Sequence, residues 1–145
     1  MKIKGTIENI ERIIFVFLCG VLLVFAGCEK KMEDPKGTLE KQAAKYWQER
    51  LINRNFQYTY KEELEEGLPA FSTYKVELNN VTKFPTSSVE VKEVKVEGDV
   101  GTVKLAVMCM LPGVPKEIPV PIGDRWVAKG NKWKHIRHIK PPGKK

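Results

Sequence analysis

Residues 103–111 constrain the fold more than any other stretch of this chain. Val103, Leu105, Val107, Cys109 and Leu111 recur at every second position, and successive side chains of an extended chain point to opposite faces. The intervening Ala106, Met108 and Met110 are also apolar, so the middle of this strand is apolar on both sides and belongs in the centre of a sheet. Its partners flank it in sequence. Val89, Val91, Val94 and Val96 form a Val-rich strand whose alternation slips at Lys92-Glu93, as a bulge would make it slip, and Gly98-Asp99 supplies the turn between the two. Pro112, Pro115, Pro119 and Pro121 predict a loop or an edge strand, because proline cannot donate to a ladder. Trp126-Val127-Ala128, a turn at Gly130-Asn131, and Trp133 to Ile139 make a closing hairpin.

The segment before these strands has a helical period. Thr38 is placed to cap a helix in which Leu39, Ala43, Tyr46, Trp47, Leu51 and Ile52 recur at helical spacing as far as Asn53. Arg54-Asn55 breaks the pattern. Phe56 to Leu64 predicts a second, short helix with Tyr60 and Leu64 on one side, followed by an acidic turn at Glu65-Glu66-Gly67. Phe71, Tyr74, Leu78 and Val81 fall at helical spacing within 70–81, although Tyr74 to Leu78 also alternates like a strand. The expected class is α+β, with N-terminal helices packed on a curved antiparallel sheet.

The N-terminus has a different character. Lys2, Lys4 and Arg12 precede an apolar run of 14 residues, Ile13 to Ala26, whereas crossing about 30 Å of hydrocarbon takes roughly 20. A cationic start, a short apolar core and small residues at its end have the layout of an export signal. With Phe25-Ala26-Gly27-Cys28 closing the run, the segment resembles a bacterial lipoprotein signal and its lipobox, Phe25 standing where that pattern carries Leu. The resemblance implies cleavage between Gly27 and Cys28, acylation of Cys28, and membrane attachment. Glu29, not Asp, follows the cysteine, which by analogy with enteric bacteria favours the periplasmic face of the outer membrane. The expected division is a signal over 1–27, a tether over 28–37, a domain over 38–139 and a basic tail over 140–145.

Removing 1–27 leaves 118 residues, enough for one core. They carry 22 basic and 16 acidic side chains, and the eight basic residues from Arg125 onward face no acid in sequence. Such an end suits anionic lipid headgroups or other polyanions, and equally a solvated strand and tail. No reader motif for nucleic acid accompanies it, so a nucleic-acid partner is not expected. With Cys19 leaving in the signal and Cys28 acylated, Cys109 remains alone in an apolar run and reads as a buried small hydrophobe. No Cys or His spacing suggests zinc, and no cofactor is expected.

Helices first, then long strands ending in Trp-Val-Ala-Lys-Gly-Asn-Lys-Trp-Lys-His-Ile, resemble the cystatin-like α+β cone of the NTF2-like superfamily, as does Tyr46-Trp47 followed by Leu51-Ile52-Asn53-Arg54-Asn55-Phe56 and Tyr60. The resemblance implies a pocket at the wide end of the cone, with a homodimer through the open sheet face as a further implication. In enzymes of the superfamily an Asp or His acid/base pair sits in that pocket, and no such pair can be carried over here. Trp47, Tyr74, Trp126 and Trp133 read as core or rim packing, or alternatively as the walls of a small apolar ligand pocket. Asp124 and His135 are the side chains that acid/base catalysis would draw on. Gly123-Asp124, however, is first a turn pair, and His135 and His138, three apart on a strand, point to opposite faces and read as surface or rim. Glu62-Glu63 and Glu65-Glu66 read as a solvated acidic face. No catalytic residue is assigned. The expected role is a membrane-anchored binding module for an envelope protein or small apolar ligand, with an acid/base enzyme or a tether on anionic envelope polymer as alternatives.

Overall fold

The computed structural model of the chain describes residues 32–137. The signal, Cys28 and the tail over 140–145 lie outside the described residues, as does His138. Among the described residues three helices, α1 (Pro35–Leu51), α2 (Phe56–Glu62) and α3 (Phe71–Val81), precede four strands, β1 (Thr86–Glu97), β2 (Val100–Cys109), β3 (Ile118–Lys129) and β4 (Lys132–His135). The strands form one antiparallel sheet in the order β1-β2-β3-β4. No helix among the described residues is long and apolar enough to cross a membrane.

The first helix begins earlier than Thr38. Asp34 is its cap, accepting a hydrogen bond from the Gly37 backbone N–H at 2.9 Å, and Pro35 fits the first turn, where its missing N–H costs nothing. Residues 35–37, expected in the tether, are therefore helix. Leu39, Ala43, Tyr46 and Trp47 form the buried stripe of α1 and pack with Val94, Val103, Leu105, Trp126 and Trp133 into the main core. Gly101 makes room for this packing: a Cβ there would stand 2.3 Å from Leu39 Cδ2 and 3.2 Å from the Trp133 ring, so any larger residue would force Leu39 to move. The third helix is helical throughout, and Tyr74 and Leu78 pack with Phe56 in a separate, smaller cluster.

β2 is central, as its two apolar faces require, and β1 carries a register shift between Val91 and Glu93. β3 has Pro119 and Pro121 within it, and β4 pairs only with Trp126 to Lys129, so the N-terminal half of β3 is an edge. The last strand stops at His135, four residues short of the expected Ile139. Its own outer edge is closed. The Gln42 side-chain amide donates to the Trp133 carbonyl (2.6 Å) and accepts from the Trp133 N–H (3.2 Å), while Leu64 N–H donates to the His135 carbonyl (2.9 Å). One glutamine thus takes the place of a neighbouring strand.

Candidate functional site: a closed ionic cluster under the sheet

Alternation along the last two strands builds the site. Trp126 and Trp133 both face α1, and residues two positions away on a strand share their face, so Asp124 and His135 face α1 as well. Trp126 and His135 are directly paired across β3 and β4. From the helices come Tyr46 and Arg50, one turn apart on α1, and Glu63, the residue at which α2 ends. Glu63 has extended backbone and bridges to His135, which aims its carboxylate inward where another helical turn would carry it away.

His135 sits between two carboxylates, with Nε2 2.7 Å from Asp124 Oδ1 and Nδ1 2.6 Å from Glu63 Oε2. Its ring stacks on that of Tyr46 at 4.5 Å. Asp124 Oδ2 accepts from the indole N–H of Trp47 (2.7 Å) and of Trp126 (2.8 Å), and Oδ1 also accepts from the Arg125 backbone N–H (3.1 Å). Indoles and backbone amides can only donate, so this carboxyl acts purely as an acceptor. Glu63 Oε1 accepts from the hydroxyls of Tyr46 (2.6 Å) and Tyr74 (2.8 Å), and Arg50 Nη1 stands 3.8 Å away while donating to the Tyr46 oxygen at 2.5 Å. The Tyr74 hydroxyl is also 3.0 Å from Thr59 Oγ1.

The electrostatics follow from burial set against pairing. Burial alone would lower the pKa of His135, but its hydrogen bonds to Asp124 and Glu63, and their charges, raise it above the ordinary imidazole value. Burial would push the Glu63 carboxyl up, yet its bonds with His135, Tyr46 and Tyr74 and the imidazolium charge hold it below the usual carboxylate range. Burial, reinforced by Glu63, pushes Tyr74 up to about 12 and Tyr46 well above its ordinary value, so both phenols remain donors at neutral pH. The cluster is two cations, Arg50 and His135, against two carboxylates, Glu63 and Asp124. Among the described residues no buried side-chain polar atom lacks a partner. Each carboxylate takes a different nitrogen of His135, which is a salt-bridge geometry, and no group of three ligating side chains among the described residues is arranged to hold a metal ion.

No family model matches the chain, and no curated protein matches it in sequence. Solved structures do match its shape. A protein described as an NTF2-like transpeptidase from Campylobacter jejuni superposes with a TM-score of 0.50 at 9% identity, over 68% of this chain and 96% of that one. A SEC-C motif-containing protein from Rhodopseudomonas palustris gives 0.50 at 16% identity, over 82% of this chain and 85% of its own. The fold is NTF2-like. At such identities the likeness extends to the fold alone, so the site stands on its own geometry.

The structure corrects several expectations about that site. Asp124 is not in a turn but within β3, and it is buried. His135 is not a surface or rim residue; it is 3% exposed. Glu63, expected on a solvated acidic face, is 1% exposed, and burial here is tolerated because every oxygen is paired. Trp47, Tyr74, Trp126 and Trp133 are all buried in the two apolar clusters, and Cys109 is buried. Two surface clefts are present, the first of which reaches Asp124 from the opposite side of the sheet. One of about 320 Å³ on the outer side of the sheet is lined by residues that include Lys95, Lys104, Gly123 and Arg125, and one of about 430 Å³ by Leu64, Glu65, Glu66, Lys129 and Lys134. None of the four aromatic side chains lines either cleft.

Proposed function

We propose that this chain is an envelope lipoprotein, held on a membrane through acylated Cys28, whose NTF2-like domain is a binding module and not an acid/base enzyme. One observation carries the second half of this reading: the acid/base groups that the fold brings together are already spent on each other. His135 has both nitrogens on carboxylates, and every oxygen of Asp124 and Glu63 is paired with donors from two helices and two strands. A general base needs a lone pair within reach of a substrate proton, and here every basic nitrogen and oxygen is already hydrogen-bonded inside a buried cluster. The four aromatic residues that would line an apolar ligand pocket are committed to the core, which favours an envelope partner over a small apolar ligand.

The lipobox residues Phe25-Ala26-Gly27-Cys28 after a 14-residue apolar run support the address. Dual acylation is the physical reason such an anchor holds, since each buried CH₂ contributes about 0.8 kcal/mol and one chain alone binds only reversibly. The test is the intact mass of protein extracted from the membranes of a bacterial host, compared with Cys28→Ala. A mass that starts at Cys28 and includes acyl chains, lost in the variant, is expected. An uncleaved or unacylated mass would overturn the anchor.

A further inference from the structure

The outer face of the sheet, opposite α1, carries a band of cations. Where Val94, Val103 and Asp124 point inward, their strand neighbours Lys95, Lys104 and Arg125 point outward, and the register sets Lys95 beside Thr102 and Thr102 beside Arg125 across three strands. Lys129 and Lys132, paired with each other where β3 turns into β4, extend the band to the end of the sheet. Against these five cations the same part of the face presents Glu93 and Glu97, and Glu65 and Glu66 share a cleft with Lys129 at the far end of the band, so its free positive charge is concentrated at Lys95, Lys104 and Arg125. Glu93 already holds Lys104 at 2.6 Å and Lys95 at 3.0 Å, with both amines still mostly exposed. Among the described residues Arg125 makes no ion pair, and it lines the 320 Å³ cleft that opens where Gly123 has no side chain, a cleft whose two acids, Glu93 and Asp124, are already held by Lys95 and Lys104 and by His135. The basic excess of the sequence is therefore not confined to a tail, because part of it is laid out on a rigid surface with two lysines from earlier in the chain.

We infer that this outer face docks an extended anionic polymer bearing repeated phosphates, lying across the strands with one phosphate seated at Arg125 in the Gly123 cleft. Charge complementarity and shape argue for it. Strands about 4.8 Å apart put the three cations at β1, β2 and β3 within reach of successive groups on one chain. Arginine favours a phosphate because its fork matches two oxygens. A bilayer is the weaker fit, since the exposed large apolar side chains Ile52, Phe71, Val76, Phe84 and Met110 lie outside the strand positions of this band and leave it no fully exposed apolar anchor. The inference rests on the envelope reading only for where such a polymer would be met.

The experiment uses the full chain in a neutral detergent and a fluorescent linear polyphosphate. Lys104→Gln with Arg125→Gln is expected to weaken binding at least tenfold and to reduce the slope of log affinity against log salt by about 2. Lys41→Gln with Lys75→Gln, on the helices, is expected to leave both unchanged. Equal losses in the two pairs, or binding abolished by deleting 140–145 alone, would overturn the proposal. So would anionic vesicles that compete as well as polyphosphate does and with the same dependence on Arg125, which would assign the face to a bilayer. Repeating the titration on Cys28→Ala separates the two readings, because polymer affinity is expected to survive loss of the anchor.

Discussion

The two faces of this sheet use the same kinds of charged residue for opposite purposes. On the inner face Asp124, His135, Glu63 and Arg50 are removed from water and closed on one another. On the outer face Glu93, Lys95 and Lys104 make ion pairs of similar length that remain in solvent. Short distances alone do not distinguish them. The environment does: an exposed pair is screened and contributes little, whereas a buried charge left without its partner is expensive. The inner set therefore fixes how α1, α2 and the last hairpin sit together, and the outer set stays in contact with solvent.

The largest effect should come from breaking the inner set. His135→Ala leaves two buried carboxylates facing each other and should cost about 3–5 kcal/mol, read from urea unfolding. Asp124→Asn keeps the shape but turns an acceptor into a donor against Trp47, Trp126 or His135, and should cost about 1–3 kcal/mol. Gln42→Ala, which reopens the β4 edge, should cost about 1–2 kcal/mol and increase self-association at high concentration. Glu93→Gln on the outer face is the contrasting case and should leave the unfolding midpoint unchanged within error. A large effect there, or a small one at His135, would break the comparison.

The pH profile sharpens the same point. His135 has a raised pKa in the folded state, so its contribution is complete below the unfolded value of about 6.5 and is lost as pH rises through the folded value. Glu63 is lowered, so its contribution is complete above the unfolded value of about 4.3 and disappears as pH falls through the folded value. Stability from this cluster should be greatest between those limits and decline on both sides. In His135→Gln the alkaline decline should flatten, as measured by urea midpoints across the range.

Much of the fold was legible in residue periodicity. The two-sided apolar run at 103–111 demanded a central strand, the slip at Lys92-Glu93 marked the register shift, and Tyr74 with Leu78 marked α3 as a helix. The cluster is less legible because residue type alone misleads at each of its members. Asp124 after Gly123 looked like a turn, and a histidine near a basic end looked exposed. Parity held the missing signal: once Trp126 and Trp133 are taken as inward, Asp124 and His135 must follow. Glu63 was hidden in a run of acids, although Phe56, Thr59 and Glu63 share one helical face. The cap at Asp34 and the edge closure by Gln42 depend on tertiary placement, which local pattern does not carry.

The central claim is that His135 is a doubly bonded imidazolium at neutral pH, and ¹⁵N NMR of the histidine-labelled protein tests it most directly. The account predicts that both ring nitrogens of His135, assigned by its loss in His135→Gln, carry protons at pH 7 and lose one only above the ordinary imidazole value. A neutral tautomer at pH 7, titrating near the ordinary imidazole value, would contradict it and return a free basic nitrogen to the interior of the domain.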